Sequence, residues 1–385
     1  MGHIYYALSG EGRGHATRAR TVIEALRTEH RVTVYAYHQA KEVLSPIYRH
    51  TDVAVRSIPG LRFRYVPSGR LDYARTAMSS LPFLINLPAY VNRIRRDMEA
   101  DAPSLVITDF EPIVPRAARA AGVPFISLDH QHFLTAYDLA SLPLKLRAYA
   151  NFLSMPVHLF YRGQLRTIVS SFYSPPLKRA NGHVSRVGVL LRPEVLEAES
   201  RTGTHLVAYL RRHAPDNVLS ALAEAGPQVR VYGLGRRPPV GNLVFRDIDL
   251  FGFVEDLATC RALVSTAGNQ VVGEALYLNK PVLAMPEHGN FEQEINGHFL
   301  ARSGAGYSLH PSLLDSATVR RFVEESDALR QRIDAQAVCG NSSTMALIDD
   351  HLRRIEHGEE LVPRPSRRRK AHGSHMTNAE GVARY

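Results

Sequence analysis

Apolar runs and helix-period segments alternate along most of the chain. The run "HIYYAL" (3–8) predicts a buried strand, and Ala19, Val22, Ile23 and Leu26 fall at helical spacing across 16–28. The β-rich "RVTVYAY" (31–37) follows as a second strand. A similar unit recurs at "SLVITDF", an alanine-rich helix over 112–121, and "PFISLD" (124–129). The alternation restarts with strands at 204–210, 228–235, 242–248, 262–267 and 281–286, with helices between them. Strands alternating with helices imply parallel sheets covered on both faces, so two doubly wound α/β domains are expected.

Between these units, 73–98 and 133–165 mix Leu, Phe, Tyr and Met with Arg and Lys. They read either as ordinary core helices or as an apolar, basic-rimmed surface for a lipid-like acceptor or a membrane interface. The turn-rich segment 170–186 is the expected join, giving domains at 1–180 and 181–360. Residues 361–385 have no apolar periodicity and read as a disordered basic tail. The fragments "LVPR" and "GSHM" within it resemble pieces of an expression linker.

Composition adds limits. A chain of 385 residues, 45% hydrophobic and 22% charged, is that of a soluble globular protein with more than one core. The longest apolar run, "LPFLINLPAYV" (81–91), is short and broken by prolines, so neither a signal peptide nor a membrane span is expected. Cys260 and Cys339 build no disulfide framework, and a reducing cytoplasmic setting is the simplest reading. The net charge is +10 over 1–180, −5 over 181–360 and +5 over the tail. The basic first half suits an anionic ligand or the inner face of an anionic membrane, to which the protein would bind peripherally, or is only a solvated face. No nucleic-acid partner, metal or cofactor is expected.

In an open parallel sheet, ligands collect at the carboxyl ends of strands, where helix N-termini present free N–H groups. The segment "STAGNQVVGEALYLNKPVLAMP" fits such a site. Thr266, Gly268, Asn269 and Gln270 surround a strand-to-helix turn suited to a diphosphate, and Glu274 could accept hydrogen bonds from a ribose diol. Further on, Glu292 and Gln293 could read sugar hydroxyls or simply cap a helix, with Asn296 close behind. Near the amino end, "SGEGRGH" places Gly12 and Gly14 before His15, which is either a general base or a polar helix-start residue. Asp109, at a later strand end, could orient that histidine or cap a helix. Glu111, Asp129, His130 and His132 are also expected at strand ends facing the cleft. The His130-x-His132 spacing has no third metal ligand, and contact with an acceptor is the better reading for Glu111 and His130.

Residues 251–306 resemble the donor-binding half of GT-B glycosyltransferases that use UDP-sugars. They are similar both to the UDP-glycosyltransferases and to the enzyme that adds N-acetylglucosamine to the lipid-linked peptidoglycan precursor. Gly268, Glu274, Pro286, Glu292 with Gln293, and Asn296 carry the resemblance. It implies a GT-B fold of two Rossmann-like domains facing across a cleft, and inverting transfer of a hexose to a hydroxyl acceptor, which could be a lipid or another apolar aglycone. The backbone at Phe253 and Val254 would hold uracil, Glu274 the ribose, the 266–270 turn the diphosphate, and Glu292 with Gln293 the hexose. His15 would be the catalytic base and Asp109 its partner. Thr266 departs from the phosphate-binding histidine of many members, and the chain has no tryptophan to stack on a base.

A dinucleotide-binding oxidoreductase is disfavoured: the glycines run G-x-G-x-G, and the second strand ends in "YAYHQ" without an acid. A UDP-sugar 2-epimerase of the same fold and a non-catalytic sugar-nucleotide-binding protein are the alternatives. The apolar, basic inserts of the first half weigh mildly against the epimerase, which has no separate acceptor to hold.

Overall fold

The computed structural model describes residues 1–66, 71–178, 182–210, 214–249 and 251–359. The basic tail from 361 and its expected disorder lie outside the described residues. The first half runs β1 (His3–Leu8), α1 (Arg13–Leu26), β2 (Arg31–Ala36), α2 (His38–Tyr48), β3 (Ala54–Ser57), α3 (Tyr73–Asp101), β4 (Leu105–Asp109), α4 (Val114–Ala121), β5 (Phe125–Asp129), α5 (Phe133–Ala136), α6 (Leu144–Phe160), β6 (Thr167–Ser170) and β7 (Val184–Val187). The second runs α7 (Pro193–Leu196), β8 (Leu206–Tyr209), α8 (Asp216–Ala223), β9 (Val229–Tyr232), β10 (Leu243–Arg246), α9 (Gly252–Thr259), β11 (Ala262–Ser265), α10 (Asn269–Tyr277), β12 (Val282–Ala284), α11 (Phe291–Ser303), β13 (Gly306–Ser308), α12 (Ser316–Arg330), α13 (Ala335–Val338) and α14 (Asn341–Glu356).

Two sheets result, ordered β3-β2-β1-β4-β5-β6-β7 and β10-β9-β8-β11-β12-β13, and every pairing within them is parallel. The chain therefore folds as two doubly wound Rossmann-like units, the GT-B arrangement. The period of two along β1 explains its continuous apolar run. Tyr5 and Ala7 join one buried cluster with α3 and α4, while Ile4, Tyr6 and Leu8 join another with α1 and α14.

The division at 180–181 does not follow the sheets. β7 overlaps the end of the expected join and completes the first sheet, paired with β6. The C-terminal α14 then returns to the first unit, where Ile348 and Leu352 pack with Ile4, Ala19 and Ile23. Two passages of chain thus cross between the units, and they touch. The Val189 N–H donates to Val338 O, the Gly340 N–H donates to Val189 O, and Asn341 Oδ1 and Nδ2 bond the N–H and carbonyl of Leu191. A Cβ on Gly188 would lie 2.2 Å from Val338 O, and one on Gly340 2.2 Å from Gly188 O, so only glycine fits at this crossing.

α3 and α6 occupy the two stretches of mixed apolar and basic character. Both contain proline, at 82 and 88 in α3 and at 156 in α6. Among the described residues no helix is long and apolar enough to cross a membrane.

Candidate active site

Leu8 is in register with Asp109 across β1 and β4, so the glycine-rich turn after β1 emerges beside the end of β4. Gly12, at φ +83°, turns the chain into α1, which begins at Arg13, three residues before the expected start at 16. His15 thereby sits in the first turn of α1. Its Nδ1 lies 2.8 Å from Asp109 Oδ1. Arg18, one turn later on the same face, donates from Nε to Oδ2 at 2.9 Å and from Nη2 to Oδ1 at 2.7 Å. The sharing brings Nη2 within 3.0 Å of His15 Nδ1.

Asp109 is fully buried and His15 is 9% exposed. Burial alone would raise the Asp109 carboxyl, but the charge of Arg18 and the hydrogen bonds from Arg18 and His15 outweigh it and hold the group below its usual range. An ionised Asp109 can only accept, which assigns the proton to His15 Nδ1 and leaves Nε2 with a lone pair. Asp109 therefore does not cap α4. Glu111 does, accepting from the N–H groups of Ile113 and Val114 at 2.7 Å each. Glu111 is fully buried, and burial pushes its carboxyl up to about 7 despite those two bonds. Its expected place facing an acceptor is not seen: the chain reverses at Phe110 (φ +52°), which turns Glu111 back onto the helix end.

α1 packs against α10 of the second unit, and a Cβ on Gly14 would lie 3.5 Å from Gln270 Cβ. Two helix N-termini thus converge beside His15, and each adds positive potential there. In the turn before α10, Thr266 and Gly268 are half-buried and the Gly268 N–H bonds Thr266 O. Asn269 faces the first unit, donating from Nδ2 to Ser170 O and accepting from the Phe172 N–H. Gln270 Nε2 donates to Leu190 O and to Glu274 Oε1, and Gln270 Oε1 is buried without a partner.

Glu274 is only 2% exposed, and its carboxylate is held at both oxygens by Arg192, at 3.1 and 2.8 Å. A ribose diol would reach it only if Arg192 shifted. Arg192 also lies 5.8 Å over the ring of Phe253. The Phe253 and Val254 side chains are core, and their N–H groups fall in the first turn of α9, where no intrahelical acceptor exists.

Gln293 accepts from the Glu287 N–H, and Asn290, not Glu292 or Gln293, caps α11. Glu292 is half-buried and accepts from Gln131 Nε2 at 3.3 Å. Asn296 lies deeper: its Oδ1 faces His130 Nε2 at 3.0 Å and accepts from the Tyr173 hydroxyl at 2.9 Å, while its Nδ2 donates to Ala267 O. Burial pushes the His130 imidazole below its ordinary value. His130 therefore sits at the interface of the two units. His132 turns elsewhere, its Nδ1 on both oxygens of buried Asp129, and no metal-type cluster of three ligands forms among the described residues. His132 lines a cavity of about 520 Å³ with Lys178 and His183; that cavity does not include His15 or α10.

The structure thus joins His15, Asp109, Gly14 and Gln270 in one place, while Glu292 and His130 belong to a second group at the interface of the units, with Gln131 and Asn296. The sequence reading missed Arg18, Gln131 and Arg192. Arg18 had one available signal, its spacing of three from His15 along a helix; Gln131 and Arg192 stand in loops whose partners are distant in sequence.

Known proteins share this architecture. The kitacinnamycin glycotransferase superposes with a TM-score of 0.66 at 16% identity, covering 91% of this chain and 99% of that one. A calicheamicin glycosyltransferase gives 0.63 at 18% identity, covering 92% and 99%. A structure of LpCGTa in complex with UDP gives 0.63 at 18% identity with the same coverage. These likenesses establish the fold. The family model described as glycosyl transferase family 1 matches residues 2–326, most of the chain, and the protein belongs to that family of transferases.

Proposed function

We propose that the enzyme moves a hexose from a UDP-sugar to the hydroxyl of an apolar or lipid acceptor, with inversion at the anomeric carbon, on the cytoplasmic face of a membrane. The observation that carries this reading is the His15–Asp109–Arg18 cluster beside the N-terminus of α10. His15 Nε2 takes the proton of the acceptor hydroxyl as its oxygen bonds to the anomeric carbon from the face opposite the nucleotide. The bond from that carbon to the diphosphate breaks, and UDP leaves with the electron pair. Amides of the Thr266–Gln270 turn and the α10 dipole stabilise the charge that develops on the leaving diphosphate. Asp109 keeps the imidazole tautomer and balances the imidazolium that forms.

On this reading Phe253 and Val254 offer backbone N–H groups to uracil, Glu274 takes the ribose after Arg192 moves aside, and Glu292 with Gln293 faces the hexose. The fold neighbour LpCGTa was solved in complex with UDP, which supports the choice of nucleotide. His130 and the glycines Gly12 and Gly14 lie on the acceptor side. A His15→Gln enzyme tests the base: turnover should fall by about 10²–10⁴-fold while UDP-sugar stabilisation of the fold is retained. Full turnover would remove the assignment. The anomeric configuration of the product, read by NMR, decides between inversion and retention. Conversion of a UDP-sugar to its 2-epimer without any acceptor would show the epimerase instead.

A further inference from the structure

We infer that the outer face of α6, with the three-arginine pocket at its end, is a docking site for the surface of a bilayer of anionic phospholipid, a lipid phosphate seating between Arg116, Arg119 and Arg162. This deepens the proposed membrane setting by assigning the residues that would make the contact.

The apolar side chains come first. Leu144, Phe152, Met155 and Leu159 are 54–74% exposed. With exposed Ala148 they fall within an arc of roughly 80° on the helix, at about 100° per residue. Ala150 and Val157, on the opposite side, are buried, and Tyr149 stacks on Phe291 of α11. The helix is therefore anchored on one side and bare along an apolar stripe on the other. α3 carries a similar stripe in Met78, Leu81 and Ile85, exposed by 55–76%. Tyr73, at the start of α3, stacks on the same Phe291, so both helices meet α11 of the second unit at one residue.

Charge then selects the occupant. No Asp or Glu occurs between Asp72 and Asp97 or between Asp138 and Glu194. At the end of the α6 stripe, a pocket of about 240 Å³ is lined by Pro115, Arg116, Arg119, Leu159, Phe160 and Arg162. Arg116 is fixed there by donating to the carbonyls of Pro112 and Leu159, at 2.6 and 2.8 Å. Burial lowers its affinity for its proton, against the opposing pull of the nearby Glu111 carboxyl, and Arg119 and Arg162 add to the lowering. Among the described residues none of the three forms a salt bridge to a carboxylate. A phosphate in this pocket would supply counter-charge to the Arg119 and Arg162 guanidiniums, while Arg116 stays engaged with the two carbonyls and adds its charge from the side. A second copy of the chain would bring the same arginines against these, so self-association through this face is opposed by charge. Apolar side chains beside basic ones, and no acids, is the pattern that binds interfacially to anionic lipid.

The test is co-sedimentation of the full chain with phosphatidylcholine vesicles, with and without phosphatidylglycerol. Arg119→Ala/Arg162→Ala should weaken binding to the phosphatidylglycerol vesicles by about 10- to 30-fold, as should Phe152→Ser/Leu159→Ser. A charge-matched control at exposed arginines outside the stripe and the pocket, Arg236→Ala/Arg353→Ala, should bind like the parent chain. The proposal is overturned if the control loses as much as the arginine pair, if either test pair binds like the parent, or if lipid charge makes no difference. A dimer dissolved by Leu159→Ser would overturn it too, in favour of a self-association face. Stabilisation of each variant by UDP-sugar is measured alongside. Its loss in the parent chain counts against the proposed transfer, while its retention with no vesicle binding counts against the docking site alone.

Discussion

His130 and Asn296, 166 positions apart, meet with Nε2 and Oδ1 3.0 Å apart and fasten the first unit to the second. The Tyr173 hydroxyl shares the same oxygen, and Asn296 Nδ2 holds Ala267 O in the turn before α10. All of it is buried. Replacing Asn296 by Leu strands a carbonyl, a hydroxyl and an imidazole away from water. The expected cost is roughly 3 kcal/mol or more in urea denaturation, because each unsatisfied buried group costs about 1–3 kcal/mol. A loss under about 0.5 kcal/mol, the range of an ordinary surface change, would show that the interface is open to water.

Arg18 and Asp109 form a buried ion pair with two hydrogen bonds, and breaking one side should cost more than removing both. Arg18→Met leaves the buried Asp109 carboxylate with only the His15 imidazole beside it and no permanent cation, and about 3–5 kcal/mol of stability should be lost. Adding Asp109→Asn to Arg18→Met should return part of that loss. The double-mutant cycle checks this, and strictly additive losses would mean that the two groups do not depend on each other. The kinetic reading is separate: Asp109→Asn should lower kcat far more than it raises the KM for the UDP-sugar, since it disturbs the base and not the donor turn.

Gly188 and Gly340 face each other where the chain crosses twice between the units. Gly340→Ala places a methyl group 2.2 Å from Gly188 O, against backbone that cannot rotate away. The expected result is a stability loss of about 1–3 kcal/mol, as for other overpacked sites. The UDP-sugar affinity should change with it, because the linker Leu190–Arg192 carries partners of both Gln270 and Glu274. Unchanged melting and unchanged donor binding would show that the crossing relaxes freely.

The parallel sheets were legible because β1, β2, β4 and β5 are apolar on both faces and stand at regular intervals between helix-period segments. The pairing of His15 with Asp109 was also within reach, since both were expected at strand ends of one sheet. What stayed hidden depends on contacts between distant segments. The period of α14 shows that it is amphipathic but not which unit it covers, and its docking on α1 follows from the double crossing at Gly188 and Gly340. The same limit applies to Glu274. Its position about one and a half turns into α10 suits a ribose, yet the cation above it comes from Arg192, 82 positions away. Glu111 illustrates a different gap: the left-handed turn at Phe110 reverses the chain where the pattern predicts continuation toward the cleft.

Glu111 offers a pH signature that can be read without any substrate. Its carboxyl is raised by burial from the ordinary 4.5 to about 7 in the fold, so the folded chain holds this proton over a range in which the unfolded chain has released it. The sign follows. The contribution of Glu111 is most favourable below about 4.5 and declines as pH rises, levelling off above about 7. Glu111→Gln removes the titration while keeping the shape, although its amide NH2 replaces one of the two oxygens that accept from Ile113 and Val114. The variant should be less stable at all pH values, and the gap to the parent chain should narrow between pH 5 and pH 8. Denaturation midpoints taken across that range decide it. A gap that stays constant would mean that Glu111 is ionised throughout, held so by the two backbone N–H groups, and that burial does not govern this helix cap.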